Sequence, residues 1–179
     1  MSTGRRSRPA VAARKGPPVL IEIAARTGHE HVSYIKRHVA SAIDLLKSPL
    51  RELSVALVGD QHMSELHQRF LNIAGTTDVL TFEIDHSPRE KVVAGEIIIC
   101  VAEARRQAKA RKHALRHELL LYAVHGLLHL HGYDDRTEKD HRRMHRKEDA
   151  LLMLLGVGPV FAPRLDGSMK LLRNRTKTS

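Results

Sequence analysis

Within the stretch VHGLLHLHGYDD, residues 124–135, His125 and His129 stand four apart and Asp135 follows His129 by six. Four residues make about one helical turn, so two imidazoles at this spacing share a helix face and can hold one ion between them. Gly132, three after His129, lets the chain turn sharply and bring a further ligand back over the pair. The order His-x3-His-x2-Gly-x2-ligand is the layout of a zinc site, here with His125, His129 and Asp135 as ligands. Three protein ligands leave a coordination position open for water, which marks a catalytic rather than a structural site. The competing reading is a buried, hydrogen-bonded histidine pair that holds no ion. His131 is the reserve third ligand, although on a continuing helix it faces away from His129. Cys100 is the sole cysteine, so no intramolecular disulfide forms and any metal rests on His, Asp and Glu.

Spacing alone does not single out this pair. With 13 histidines in 179 residues, about one His-x3-His pair is expected from independent placement. Three occur: His113/His117, His125/His129 and His141/His145. The first is set among Arg111, Lys112 and Arg116, and the last among Arg142, Arg143, Arg146 and Lys147. Both read as solvated faces, where neighbouring cations oppose a metal. The middle pair is flanked by Val124, Leu127, Leu128 and Leu130. A buried imidazole needs partners for its nitrogens. Position 126 is Gly, where helical zinc proteases carry their glutamate base. Glycine costs a helix up to about 1 kcal/mol relative to alanine, so Gly126 makes room for a close neighbour, and peptide hydrolysis by that mechanism is disfavoured.

The elements that must position these groups are legible from periodicity and punctuation. Strands are expected at 19–24, 53–59, 78–84 and 95–101, and helices at 30–46, 60–71, 102–112, 114–131 and 137–156. Asp60 and Thr137 are expected as N-caps, with Gly156 as a helix stop. Residues 85–95 read as a polar loop, with at most a short extended piece. The 114–131 helix is apolar nearly all round and should be buried centrally. The fold expected is α+β: a small mixed four-stranded sheet packed with helices around a central metal-binding helix, a zincin-like arrangement.

The chain is long enough for one domain with a sizeable core, expected at 18–163. Its net charge is +10, of which residues 1–17 carry +5 and residues 164–179 carry +4. Both tails are expected to be disordered, and their charge suits contact with RNA phosphate. Aromatics are few, and there is no Trp, so an RNA partner would be gripped by backbone and shape more than by base stacking. No signal-like or membrane-spanning apolar run is present, and the reading is a soluble cytoplasmic protein.

Taken together, these motifs resemble the YbeY family, the bacterial rRNA maturation endoribonucleases. His125, Gly126, Leu128, His129, Leu130, Gly132, Tyr133 and Asp134 match the family's His-Gly-x-Leu-His-Leu-x-Gly-Tyr-Asp-His, and Met144 falls at the family's spacing. TDVLTF (77–82) and GEIIIC (95–100) are similar to two further family segments, and the resemblance spans about residues 18–156. Three positions depart from the pattern. Asp135 replaces the third His, Leu71 stands where the family has a functional Arg, and Thr76 replaces a Pro. A carboxylate is a sound zinc ligand, though its charge makes bound water less acidic and gives harder metals more ground. A missing Arg would remove a phosphate clamp; Arg69, two residues away, is the candidate substitute.

The resemblance implies a single-strand-specific, metal-dependent endoribonuclease. It would act in late-stage ribosome quality control and in maturation of the 3′ end of small-subunit (16S) rRNA, with single-stranded RNA, rRNA and the small subunit as partners. One Zn2+ or another divalent ion would sit on His125, His129 and Asp135. For the base, a hydroxide on the ion, Asp134 and Glu96 stay open, and Asp134 is equally suited to orient a ligating His. Asp78 is expected to pin the strand near the site, and Tyr133 to pack against the turn. Two rivals remain: a ribosome-assembly binding factor whose metal only holds the fold, and a metallohydrolase acting on another substrate.

Overall fold

The computed structural model describes residues 18–89 and 91–158; the two expected basic tails lie outside the described residues. The four apolar runs form one sheet from β1 (Leu20–Ala25), β2 (Glu52–Val58), β3 (Val79–His86) and β4 (Val92–Cys100). Its order is β1-β2-β4-β3, with β1, β2 and β4 parallel and β3 antiparallel to β4. The sheet is mixed, as expected. More of 85–95 is extended than expected: β3 runs on to His86 and β4 begins at Val92, with a register shift near Glu83 and Asp85. The polar residues there are tolerated because β3 is an edge strand with one side open to water.

Five helices follow the expected segments: α1 (Val32–Leu45), α2 (Asp60–Leu71), α3 (Val101–Ala110), α4 (Leu115–His129) and α5 (Glu138–Leu154). Asp60 is not the N-cap of α2. Gly59 takes that position, and the Asp60 carboxylate instead receives both terminal nitrogens of Arg106 on α3 at 2.7 Å. Thr137 does cap α5: its hydroxyl accepts the Asp140 N–H at 3.1 Å and donates to the Asp140 carboxylate at 2.6 Å.

Alternation along the strands divides the molecule. Leu53, Val55, Leu57, Ile97 and Ile99 face the main core with α1, α4 and α5. Val58, Leu80, Ile98 and Cys100 face the other way, onto Met63 of α2. α4 packs against α1, α3, α5, β3 and β4, and every residue from Glu118 to Val124 is buried. Burial of each such large apolar side chain is worth on the order of 2 kcal/mol, which makes α4 a rigid platform. No helix among the described residues is long and apolar enough to cross a membrane.

Candidate metal centre

α4 reaches the sheet through two glycines. A Cβ on Gly126 would lie 2.8 Å from both Ile97 Cγ2 and Thr81 Oγ1, and one on Gly95 of β4 would lie 2.5 Å from Leu130 Cδ1. The close neighbour expected at Gly126 is therefore the sheet itself, and no glutamate fits there. The same approach sets His129 in a groove walled by Val79, Thr81 and Glu83 of β3.

The helix stops where Gly132 adopts φ 76°. Gly132 N–H bonds His129 O at 2.8 Å and Tyr133 N–H bonds Leu128 O at 3.1 Å, the pairing of a Schellman stop. A Cβ on Gly132 would meet nothing within 4 Å, so glycine is used for its left-handed backbone rather than for space. Five residues later Thr137 caps α5. The turn is thus pinned at both ends, and it returns Asp135 to the histidines. Asp135 Oδ2 lies 3.7 Å from His125 Nε2, and one ligand atom each of His125, His129 and Asp135 fall within 4.8 Å of one another.

The hydrogen bonds decide which nitrogens face the cluster. His125 Nδ1 lies 2.6 Å from Glu148 Oε1, and His129 Nδ1 lies 3.0 Å from the Tyr133 carbonyl. An ionised carboxylate and a carbonyl only accept, so both Nδ1 atoms donate. In the neutral rings both Nε2 atoms then carry lone pairs, and they face each other at 3.0 Å. Two opposed lone pairs repel unless a proton or a cation lies between them. Burial lowers the His125 pKa, but Glu148, with Asp135 and Asp78 adding their charge, overcomes it and raises the imidazole above its ordinary value. Burial and the neighbouring His125 charge hold His129 below its ordinary value. The donor set of two imidazoles and one carboxylate, with a carboxylate behind the first imidazole, suits zinc and similar divalent ions.

Glu148, on α5, was not among the sequence candidates. It is fully buried, and its second oxygen lies 2.6 Å from His145 Nδ1. Burial raises a carboxyl pKa, but the two imidazole bonds outweigh it and keep Glu148 below the usual range. A signal for it does exist in the sequence: Met144, Leu151 and Leu152 form the buried stripe of α5, and Glu148 interrupts it.

The other candidates divide clearly. His131 leaves the cluster, its Nδ1 donating to Leu127 O at 2.6 Å. Asp134 is spent on the turn: Oδ1 accepts the N–H groups of Asp135 and Arg136, and Oδ2 pairs with Arg136 Nε at 3.1 Å. These backbone bonds hold its carboxyl below the usual range, unlike a poised base. Glu96 is excluded by strand parity. Its neighbours Gly95 and Ile97 meet α4, so Glu96 points to the opposite face, where it lines a groove with His62, Leu66 and Phe70. Arg69 lies over the Phe70 ring at 5.6 Å and does not line the groove at the histidines. Leu71 does, together with Thr81, His129, Tyr133, Asp135 and Arg136. Arg136, missed from sequence, is the arginine of that groove, which has a volume of about 650 Å³. Asp78 pins the start of β3 by accepting the Val79 N–H at 2.8 Å, and Tyr133, expected to pack against the turn, packs against the main core.

A mixed sheet backed by a buried helix with two converging imidazoles, and a glycine turn that returns a carboxylate, defines an α+β protein with a candidate metal site of the hydrolase type. The family model described as Endoribonuclease YbeY matches residues 21–156, and the chain belongs to that family. It is 35% identical over 143 residues to Endoribonuclease YbeY of Thermobifida fusca, covering 74% of this chain and 91% of that protein. It is 33% identical over 146 residues to Endoribonuclease YbeY of Mycobacterium tuberculosis, covering 74% and 81%. The solution structure of TM1509 from Thermotoga maritima shares the fold, with a TM-score of 0.55 at 23% identity over 82% of this chain and 98% of that one.

Proposed function

We propose that this protein is a divalent-metal-dependent, single-strand-specific endoribonuclease. We place it in late ribosome quality control and in maturation of the 3′ end of small-subunit rRNA, with rRNA and the small subunit as partners. The observation that carries the metal is the pair of Nε2 atoms facing each other at 3.0 Å beside Asp135. Zn2+ fits two imidazoles and a carboxylate best. When bound, the ion supplies Lewis-acid stabilisation of the charge that develops on a phosphodiester.

The chain's own groups do the positioning. Glu148 and the Tyr133 carbonyl fix the two imidazole tautomers, and Asp134 holds the turn that presents Asp135. Arg136 is 87% exposed, so its guanidinium can reach a phosphate along the groove and supply the clamp that Leu71 cannot. The open edge of β3 forms the other wall and offers unpaired backbone groups to an extended strand. Few rings line this groove, which fits recognition of backbone over bases.

Leu71 at the arginine position favours one second reading: a ribosome-assembly factor whose metal holds the fold. Elemental analysis of the purified protein, paired with cleavage of single-stranded RNA by wild type and His129→Ala, tests the enzyme. The expected result is one tightly held ion and cleavage that depends on His129. Wild-type protein that carries the metal and leaves RNA intact overturns it. Dialysis against a chelator tests the second reading: lost cleavage with an unchanged circular dichroism spectrum supports the enzyme, and unfolding supports the structural metal.

A further inference from the structure

We infer that His141 and His145 on α5 form a second divalent-cation site, weaker than the first and built on the other oxygen of the same buried carboxylate. Their Nε2 atoms face each other at 2.8 Å, with ring centroids 4.0 Å apart and planes at 80°. The first pair shows the same arrangement, with 3.0 Å, 4.6 Å and 81°. Two nitrogens bound to one tetrahedral zinc at ordinary lengths lie about 3.3 Å apart, so side-chain rotation of a few tenths of an ångström would suffice.

Glu148 sets the tautomer here as well. Its Oε2 accepts from His145 Nδ1 at 2.6 Å, which leaves the His145 lone pair on Nε2, the atom turned to His141. A carboxylate behind a ligating imidazole fixes the ring and raises its basicity. The cations that argue against a metal here are partly spoken for. Arg142 pairs with Glu138, and Arg143 lies over the Tyr133 ring at 5.0 Å. Equal spacing does not by itself produce this arrangement. His113 and His117 are also four apart, yet their rings lie 6.4 Å apart, and His113 Nε2 is 2.8 Å from the buried Glu118 carboxylate.

Two imidazole donors with water in the remaining positions select borderline transition metals, Zn2+, Ni2+ or Cu2+, over Mg2+ and Ca2+. Exposure and a count of two protein ligands make this site weaker than the three-ligand cluster. The inference does not rest on RNA cleavage, and its failure is separable from failure of the proposed function.

The test is a calorimetric Zn2+ titration of the metal-stripped full-length protein, repeated with Ni2+. Wild type is expected to take two equivalents, one tight and one weak. His141→Ala, an exposed change away from the core, should lose the weak equivalent and keep the tight one. His129→Ala should do the reverse, and His117→Ala should keep both. As a readout independent of stoichiometry, Ni2+ beyond the first equivalent should broaden the ring resonances of His141 and His145 in a histidine-labelled sample before those of other surface histidines. A single equivalent in wild type, retention of both by His141→Ala, or broadening that spares these two rings overturns the site and leaves a neutral histidine–histidine hydrogen bond in its place.

Discussion

Glu148 Oε1 lies 2.6 Å from His125 Nδ1 across 23 residues of sequence, joining α5 to α4 beneath the candidate metal site. The bond fixes which nitrogen of His125 faces Asp135 and His129. Glu148→Gln keeps the volume and removes the charge, and an amide replaces one accepting oxygen with a donating NH2, so one imidazole loses its acceptor. Metal affinity should fall about 10- to 100-fold, the range for losing such an orienting group. Competition against a chelator of known affinity measures it, and an unchanged constant would show that the tautomer is set elsewhere. Glu148→Ala strips two imidazoles of a buried partner and should cost at least about 3 kcal/mol in urea unfolding.

Gly126→Ala addresses the contact between α4 and the sheet. Alanine gains up to about 1 kcal/mol of helix propensity, but its Cβ meets Ile97 and Thr81 at 2.8 Å. Overpacking costs about 1–3 kcal/mol, so net destabilisation is expected. Truncation at Ile97 should relieve part of it: Gly126→Ala with Ile97→Ala should be less destabilised than the sum of the singles by at least about 0.5 kcal/mol. Strict additivity would mean that the helix shifts instead of clashing.

What the sequence disclosed follows from how local each feature is. The strands, the buried α4 and the Gly132 stop rest on residues within a few positions of one another, and so do the convergence of His125 and His129 and the return of Asp135. Glu148 was hidden because its role depends on α5 docking on α4, although its place in an apolar stripe marked it. Glu96 was legible in principle, since alternation with Gly95 and Ile97 fixes its face once the direction of α4 is known. Arg69 and Arg136 could not be told apart from sequence, because the path of the turn after Gly132 decides which guanidinium reaches the groove. The start of β4 at Val92 escaped notice because its polar flank belongs to an edge hairpin.

The Asp60–Arg106 pair ties α2 to α3 and predicts an acid limb of stability. Arg106 holds the Asp60 carboxyl down at about 2, against about 3.9 in an unfolded chain. A depressed carboxylate stabilises the fold above its unfolded value, and the contribution fades as pH falls toward the folded one. Both side chains are nearly half exposed, so solvent screening limits the pair to at most about 1 kcal/mol. Urea unfolding of wild type and Asp60→Asn should differ by that amount at pH 7, and the gap should narrow below about pH 4. A gap that persists undiminished at pH 3 assigns the effect to the Cys100 contact with Asp60 instead.

Asp135 is the proposed ligand most exposed to disproof, because it stands where the family has a histidine and its side chain is 36% accessible. Asp135→Ala leaves two imidazoles and should release the ion readily on dialysis. Asp135→His restores a nitrogen donor at the end of the same pinned turn and should retain the metal, with one fewer negative charge at the site. Removing that charge makes the ion a stronger acid, so the pH at which RNA cleavage reaches half its maximum should move down relative to wild type. Elemental analysis of the three proteins after identical dialysis gives the occupancy, and a pH profile of the two loaded forms gives the shift. Full occupancy in Asp135→Ala would remove Asp135 from the ligand set. Since His131 is bonded to Leu127 O and turned from the cluster, a solvent or substrate oxygen would then have to complete it.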